Sequence, residues 1–327
     1  MRSAASLILL GLVALGILGV LVVEVRAARN EAAAEAAYPP EGRIVEVDGR
    51  RVHAVMRGTG PDLVLIHGAS GHVRDMTFGF MDRLTDRYRV TAFDRPGLGY
   101  TDRARDGLSR LFGGEGESPE EQARFLQAAA RELGIERPIV LGHSFGGAVA
   151  LAWALSDPEG TAAVVDVSGV AMPWPGGLGW QYRINGSALG GALLPPLVTA
   201  FPPERVVDTA LVAIFAPGPV PEGYEEHLGV GLTLRRESLR ANARQVAALR
   251  PHVVEMSARY GTLNLPIEIV HGEADIIVPA RVHAVPLSRI APHANIVLLP
   301  GVGHMPHHSA PEAVVAAVDR ARERAGL

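Results

Sequence analysis

Ser144 occupies a sequence context that suits nucleophilic catalysis. It is the central residue of the run GHSFGG at 142–147, which follows an apolar run at 139–141 and opens an apolar stretch at 148–155. A G-x-S-x-G turn between a strand and a helix holds serine in a strained backbone and exposes its hydroxyl at the helix amino terminus. The helix dipole there favours developing negative charge. The run predicts Ser144 as a nucleophile, which needs a neighbouring base for activation.

Two later loops carry the base and the acid that such a serine requires. Asp275 lies in a loop after the predicted strand 267–270, and His304 lies in the glycine-rich run GVGHMP after the last predicted strand. A carboxylate that accepts a hydrogen bond from imidazole holds the ring in the tautomer that takes a proton from serine. The three residues occur along the chain in the order serine, acid, histidine. We predict Asp275 as the orienting acid and His304 as the general base.

Other residues compete for these roles. Glu273 and Asp166 are alternative acids, and the chain contains 12 histidines. His143 and His271 lie within turn motifs and are predicted to pack or to hydrogen bond, whereas His307 and His308 are predicted to face the surface or a cap. None of these histidines has the spacing of a known ligand motif such as H-E-x-x-H. We therefore expect no metal site and no cofactor.

The run HGASG at 67–71 follows the predicted strand 63–66 and has the composition of an oxyanion loop. Acyl transfer needs two donors directed at the developing oxyanion. We predict that the backbone N–H groups of Ala69 and Phe145 supply them, because Gly68 permits a close backbone approach. The Ser70 hydroxyl is a candidate substrate contact, and an ordinary turn serine is the alternative.

Short apolar runs alternate with helical patterns through most of the chain. Ser118 begins a predicted helix, since Pro119 follows it and Glu121 completes a capping box. Strands that alternate with helices predict an α/β fold with a mostly parallel sheet flanked by helices on both faces. The predicted strands span residues 43–47, 51–55, 62–66, 89–93, 138–141, 163–167, 267–270 and 295–299.

Together with the three loops above, the run DRPGLGYT at 94–101 resembles the capped members of the α/β-hydrolase superfamily from about Arg43 to the end of the chain. The resemblance implies the α/β-hydrolase fold, a serine, aspartate and histidine triad, and a mainly structural role for Asp94. Haloalkane dehalogenases and epoxide hydrolases are similar in these loops but carry aspartate at the nucleophile position. Ser144 at that position argues against both activities.

Residues 172–262 differ from the rest in their dense proline, glycine and aromatic content, and they are predicted to form an inserted helical cap. Such an insertion would lie over the carboxyl ends of the strands, where open α/β sheets bind ligands. We predict that Trp174, Trp180 and Phe215 contribute an apolar wall to the substrate pocket, and packing within the cap is the alternative. The cap divides the hydrolase core into residues 41–171 and 263–327.

The amino-terminal segment 1–23 contains an uncharged run from Ala4 to Val23 that is long enough to span a hydrocarbon core of about 30 Å. We predict a membrane anchor followed by a linker at 24–40, with the catalytic domain outside the cytoplasm. A signal segment cleaved near residues 25–27, giving a secreted or periplasmic protein, and a buried core helix are the alternatives.

Composition narrows the function further. The chain has 327 residues, a net charge of -4, no cysteine, and only arginine among its basic residues, because lysine is absent. These values exclude thiol and lysine nucleophiles and give no basic surface for nucleic acid. We expect a serine hydrolase that cleaves a carboxylic ester of a small, largely apolar substrate. The alternatives are a C–C bond hydrolase, an amidase or peptidase, a cofactor-free haloperoxidase, or a non-catalytic membrane-tethered binding module; oligomeric state stays open.

Overall fold

Eight strands form one sheet in the computed structural model, which describes residues 4–109, 111–112, 115–177, 184 and 186–327. The order is β1-β2-β4-β3-β5-β6-β7-β8. The pairs β1·β2 and β2·β4 are antiparallel and all others are parallel. The predicted α/β-hydrolase fold is confirmed. The strands are β1 Arg43–Val47, β2 Arg50–Arg57, β3 Asp62–Ile66, β4 Arg89–Phe93, β5 Ile139–His143, β6 Ala163–Val167, β7 Ile267–Gly272 and β8 Ala294–Leu299.

Helices cover both faces of this sheet and fill its connections. In chain order they are α1 Ala4–Ala37, α2 Val73–Thr77, α3 Pro119–Glu132, α4 Phe145–Ser156, α5 Ala188–Ala200, α6 Glu204–Phe215, α7 Tyr224–Leu228, α8 Val230–Thr233, α9 Arg236–Ser257, α10 Ala284–Ile290, α11 Pro306–Ser309 and α12 Pro311–Ala325. Short 3-10 turns lie at Met81–Arg83 and Tyr260–Thr262. Helix α3 begins with the predicted capping box at Ser118.

The apolar core consists of two layers separated by the sheet. Side chains alternate between strand faces, so Val64 and Ile66 join the layer under α3 and α4, while Leu63 and Leu65 join the layer under α12. The central parallel strands β3, β5, β6 and β7 are buried along nearly their whole length, whereas β8 at the edge of the sheet is only partly buried. This two-sided burial explains why they appear in the sequence as continuous apolar runs.

Helix α1 differs from the prediction for the amino terminus. Residues 24–37, predicted as part of a linker, continue the same helix and pack on the protein, with Ala27 and Ala34 buried. Alanine, glutamate and arginine favour helix, and the first prolines come only at 39–40. Residues 6–22 are exposed, which excludes the buried core helix considered above. The linker prediction was wrong because propensity alone does not show which helix faces find a partner.

Helices α5 to α9 lie between β6 and β7, within the segment predicted as a cap. They contact the loops at the carboxyl ends of the strands. Asn242 of α9 bonds to the loop after β3, and Tyr224 of α7 donates to Asp75 of α2. The segment therefore adjoins the edge of the sheet where the predicted site residues are found.

Candidate active site

Ser144 lies in a sharp turn between β5 and α4. Its backbone dihedrals are φ 54° and ψ −117°, a region that costs a non-glycine residue energy. The positions two residues before and after Ser144 must be glycine, because a side chain at either one would clash with a neighbouring backbone. A Cβ at Gly142 would lie 2.0 Å from the carbonyl oxygen of Gly146, and one at Gly146 would lie 2.2 Å from that of Ile66. The motif thus reflects the close packing of β5, α4 and β3 around one serine.

A continuous hydrogen-bonded chain joins the three predicted triad residues. The Ser144 Oγ lies 3.0 Å from His304 Nε2, and His304 Nδ1 lies 2.7 Å from Asp275 Oδ2. All three residues are at most 7% exposed. If Nδ1 donates to the carboxylate, Nε2 is left as the acceptor for the serine proton. The arrangement can activate Ser144 as a nucleophile.

Asp275 is held in its ionised form by its surroundings. Burial alone raises the pKa of this carboxyl, but hydrogen bonds from His271 and His304 outweigh burial and hold the pKa well below its usual range. The backbone N–H groups of Ile277 and Val278 also donate to Oδ1, each at 2.9 Å. An ionised Asp275 keeps the His304 ring oriented and stabilises it when it becomes cationic.

Contact with the His304 imidazole distinguishes Asp275 from the two alternative acids, Glu273 and Asp166. Glu273 is exposed. Asp166 is fully buried against the backbone of Gly147 and Gly169, and burial raises its pKa to about 6, against smaller opposing effects of His271 and the Gly169 backbone. The carboxylate that hydrogen bonds to the His304 ring belongs to Asp275.

The loop after β3 lies directly against the nucleophile turn. A Cβ at Gly68 would stand 3.1 Å from both the Ser144 Cβ and the His143 Nδ1. Ala69 follows Gly68, and Phe145 is the first residue of α4. Ala69 and Phe145, which were predicted to supply the oxyanion donors, are therefore the chain neighbours of two residues that lie against each other, Gly68 and Ser144.

Ser70 is fastened to the helices of residues 172–262. Its N–H donates to Asn242 Oδ1 at 2.8 Å, and its hydroxyl accepts from Asn242 Nδ2 at 2.9 Å. Its carbonyl accepts from Thr233 at 3.0 Å. Ser70 thus joins the predicted oxyanion loop to α9 and to the end of α8. No sequence signal pointed to Asn242, because it lies in an ordinary helical pattern.

The three predicted cap aromatics have different positions. Phe215 is 1% exposed and packs edge to face on Tyr224, in a cluster that includes Met305, the neighbour of His304. Trp174 is partly buried against the core layer beneath α4, and its carbonyl accepts from Arg250. Trp180 lies outside the described residues. Phe215 therefore reaches the candidate site through packing.

A second cluster adjoins the first and was missed from the sequence. His307 and His308 were predicted to face the surface or a cap; His308 packs against Phe215 and Tyr224 of the predicted cap, and the side chains of both histidines are buried and point towards Asp75. His308 Nε2 lies 2.9 Å from the Asp75 carboxylate, and the Tyr224 hydroxyl donates to the same carboxylate at 2.8 Å. These side chains surround Asp75 because burying a carboxylate is costly unless it accepts hydrogen bonds.

Asp75, His307 and His308 bring three potential metal-ligand atoms within 4.8 Å of one another. A metal-bound histidine ordinarily donates its second N–H to an acceptor. The buried Nδ1 of His307 has no such partner among the described residues. Burial lowers the pKa of His307 to about 4, with a further contribution from His308. Hydrogen bonds between the two imidazole rings and Asp75 account for this cluster.

Comparisons with known proteins agree with this geometry. A model of the alpha/beta hydrolase family matches residues 63–317. The chain is 28% identical to a pimeloyl-[acyl-carrier protein] methyl ester esterase of Nitrosomonas europaea, covering 82% of this chain and 98% of that protein. It is 26% identical to haloalkane dehalogenase 2 of Mycobacterium tuberculosis, covering 86% and 94%.

A solved structure described as a membrane phospholipase A is similar over nearly the whole length. It has 22% identity and a TM-score of 0.66, with 97% of this chain and 98% of that chain covered. Because α1 comprises 34 residues, this coverage includes most of α1 as well as the sheet. The likeness concerns the fold.

Proposed function

This chain belongs to the alpha/beta hydrolase family, and from that premise we propose that it hydrolyses a carboxylic ester of a small, largely apolar substrate. The observation that carries the proposal is the hydrogen-bonded chain from Ser144 through His304 to Asp275. Such a chain performs acyl transfer through a covalent intermediate on serine. An ester needs less activation of its leaving group than an amide, whose amine leaves only after protonation.

In the first half of the reaction, Ser144 Oγ attacks the ester carbonyl carbon while His304 Nε2 takes the hydroxyl proton. The carbonyl π electrons move to oxygen, and the N–H groups of Ala69 and Phe145 donate to that oxyanion. When the carbonyl re-forms, the C–O bond to the alcohol breaks, and the alcohol leaves with the proton held by His304. Ser144 is then acylated.

In the second half, water takes the place of the alcohol. His304 removes one water proton as the oxygen attacks the acyl carbon, and the same two N–H groups receive the second oxyanion. Collapse releases the carboxylic acid, and the proton on His304 returns to Ser144 Oγ. Asp275 stays ionised throughout and stabilises the imidazolium in both halves.

The nucleophile argues against dehalogenation, despite the likeness to a haloalkane dehalogenase. Displacement of halide by a carboxylate gives an ester, which water can cleave at the carbonyl carbon. Displacement by Ser144 would give an alkyl ether, which has no carbonyl carbon for water to attack. A serine at this position therefore suits acyl substrates.

An activity panel tests the proposal. We expect a fluorophosphonate to label Ser144, and p-nitrophenyl esters to be hydrolysed faster than matched amides or vinylogous diketones. With about 0.8 kcal/mol gained per buried methylene, kcat/KM should rise about three- to fourfold per methylene across short acyl chains. Labelling of Ser144 combined with preferential turnover of diketones or amides would replace the ester assignment, and no labelling would favour a non-catalytic binding role.

We also propose that residues 4–23 anchor the protein in a membrane, with the catalytic domain outside the cytoplasm. The support is one long apolar helix near the amino terminus whose apolar window is unburied. Cleavage near residues 25–27 would cut within a helix that is packed at Ala27. Sequencing the mature amino terminus tests this: a start near Ala27 would show a cleaved signal instead.

A further inference from the structure

Helix α5 exposes a row of large apolar side chains on one face. Leu189, Leu193, Leu197 and Phe201 are spaced four residues apart and are 66%, 61%, 45% and 50% exposed. Leu189, Leu193 and Leu197 lie on the same side of the helix at this spacing, and Phe201 directly follows the last residue of α5. The opposite face, which includes Ala192 and Pro196, is buried. We call the four exposed residues the α5 stripe, and contiguous apolar surface of this kind marks an interaction site.

From the position of this stripe, we infer that it lies in the surface of the lipid bilayer that holds α1. The inference rests on the proposed anchoring of residues 4–23. It adds a second, lateral contact between the catalytic domain and the membrane. The partner of the α5 stripe is a phospholipid bilayer. As a consequence, the helices next to the candidate active site lie beside the membrane layer in which substrates with apolar acyl chains dissolve.

The level of the stripe follows from its contacts with α1. Arg26 Nε donates to the Ala200 carbonyl at 2.6 Å, and the Arg26 guanidinium lies 4.8 Å from the centre of the Phe201 ring. Asn30 donates to the Thr199 carbonyl at 2.8 Å. The apolar run of α1 ends at Val23, and Arg26 lies about 5 Å further along the helix axis at 1.5 Å per residue. If the apolar run spans the hydrocarbon core, Arg26 lies within the adjoining headgroup layer. Phe201 occupies the same level.

The domain cannot readily turn away from this position, because the part of α1 beyond the apolar run is fixed. Arg236, at the start of α9, pairs with both Glu24 and Glu31. Ala27 and Ala34 are buried. Arg240, one turn beyond Arg236, donates to the Gly191 carbonyl near the other end of α5. The carboxyl end of α5 is thus held directly by α1, and its amino-terminal half is held by α9, whose first residue Arg236 pairs with α1.

Charge near the stripe favours lipid over a second protein copy. Arg26 lies at its carboxyl end, Arg29 is exposed on α1, and Arg205 is exposed at the start of α6 next to the exposed Glu204. Arginine at the boundary of an apolar surface pairs with lipid phosphates and extends its apolar stem along the surface. Phe201, at the end of the stripe, lies against Arg26, three residues after the apolar run of α1, whose residues 7–22 are exposed.

The absence of cysteine from the chain allows a direct test in the full-length protein. Leu193→Cys carries a single environment-sensitive fluorophore, and the protein is reconstituted in phosphatidylcholine and phosphatidylglycerol vesicles. Ile290→Cys on α10, a residue 39% exposed, is the matched control. Leu15→Cys reports insertion of the anchor. We expect lipid-borne nitroxide to quench the labels at 15 and 193, and aqueous iodide to quench the label at 290 at least about threefold more than that at 193.

Each outcome decides between the bilayer and its rivals. If iodide quenches the labels at 193 and 290 equally while lipid-borne nitroxide quenches the label at 15, the α5 stripe does not contact the bilayer, although residues 4–23 still anchor the protein. Failure of lipid to quench the label at 15 contradicts the anchor itself. Protection of position 193 from both quenchers, lost when the protein is diluted among excess vesicles, identifies a second copy as the partner and overturns the proposal. Labelling of Ser144 by fluorophosphonate, measured separately, reports on the hydrolase.

Activity gives an independent readout. Leu193→Gln combined with Leu197→Gln should lower kcat/KM about tenfold for an ester dissolved in vesicles, because two apolar contacts with lipid are lost. Hydrolysis of a water-soluble ester should not change. An equal loss on both substrates, or no loss on either, would contradict the lateral contact. Ile290→Gln is the control and should leave both rates unchanged.

Discussion

In the proposed reaction Ser144 supplies the attacking oxygen, yet its reactivity depends on groups that the serine does not supply. The backbone turn holds the serine at the start of α4, and His304 Nε2 lies within hydrogen-bond distance of its hydroxyl. Asp275 keeps that imidazole oriented, with two backbone N–H groups holding its other oxygen. Removing the serine oxygen leaves these supports in place, which makes the substitution a clean test of the chemistry.

Ser144→Ala should reduce turnover of an ester by about 10⁶ without changing the melting temperature, by comparison with the loss in related triads. Ser156→Ala, the same change at the other end of α4, is the control and should retain activity within about twofold. Near-normal esterase activity in folded Ser144→Ala would show that another residue is the nucleophile.

Asp166 makes the protein's stability depend on pH. Its folded pKa of about 6 lies above the ordinary value of 3.8, so the folded state binds more protons than the unfolded state between these values. Stability therefore falls as pH rises through this interval, by about 3 kcal/mol at about 1.4 kcal/mol per pH unit. Asp166→Asn, which cannot ionise, should lack this loss.

The measurement is urea unfolding of wild type and Asp166→Asn between pH 4.5 and pH 7.5. The variant should gain stability relative to wild type as pH rises. Asp82→Asn, at a carboxylate that is 59% exposed, should show no such trend. Parallel pH profiles for wild type and Asp166→Asn would mean that Asp166 ionises normally in the folded protein.

Helix α1 has two parts that differ in composition and in packing. Its first part has the composition of a membrane span, and its second part is a structural helix of the catalytic domain. The boundary falls at Glu24, the first charged residue after the apolar run and a partner of Arg236. A truncation at this boundary has a different effect from one that removes the whole helix.

A protein that begins at Glu24 should be soluble without detergent and should melt like the full-length protein. One that begins at Pro39 should lose on the order of 2 kcal/mol, because the surface that covered Ala27 and Ala34 becomes exposed and Arg236 loses its partners. Urea unfolding of the two truncations measures the difference. Equal stability would show that residues 24–37 lie on the domain without stabilising it.

At the scale of the whole molecule, Asp75 connects three parts of the chain that are distant in sequence. It lies on α2, accepts from Tyr224 of α7, and accepts from His308 of α11, four residues after His304. Burial by itself raises the pKa of Asp75, but His307 and His308 outweigh it and hold that pKa well below its usual range. The ionised carboxylate therefore joins the helical segment to the loop that carries the general base.

Asp75→Asn should lower the free energy of unfolding by about 1.5–3 kcal/mol, the range for hydrogen bonds to a charged group. The amide keeps one acceptor oxygen but directs donors towards His308. Asp82→Asn, which breaks an exposed ion pair with Arg57, should cost at most about 1 kcal/mol. A similar loss of unfolding free energy in the two variants would show that Asp75 does not stabilise the contact between the helical segment and the loop that carries His304.

Much of the fold and of the candidate site could be predicted without coordinates. All eight predicted strands are present with ends within two residues, for example 51–55 against Arg50–Arg57 and 267–270 against Ile267–Gly272. Buried parallel strands must be apolar along their length, and the turns that end them need glycine, so both leave a local pattern. Ser144, Asp275 and His304 were found because each lies in such a turn.

The contacts between distant segments were decided only by the tertiary structure. Asn242 lies 172 residues from Ser70, and His308 lies 233 residues from Asp75. Neither pair has a local pattern, since a buried carboxylate or a loop amide can find its partner anywhere in the chain. The packing of residues 24–37 belongs to the same class, because composition predicts a helix or a linker but not the surface it meets. Local patterns determined which residues could react, and packing between segments determined how they are held together.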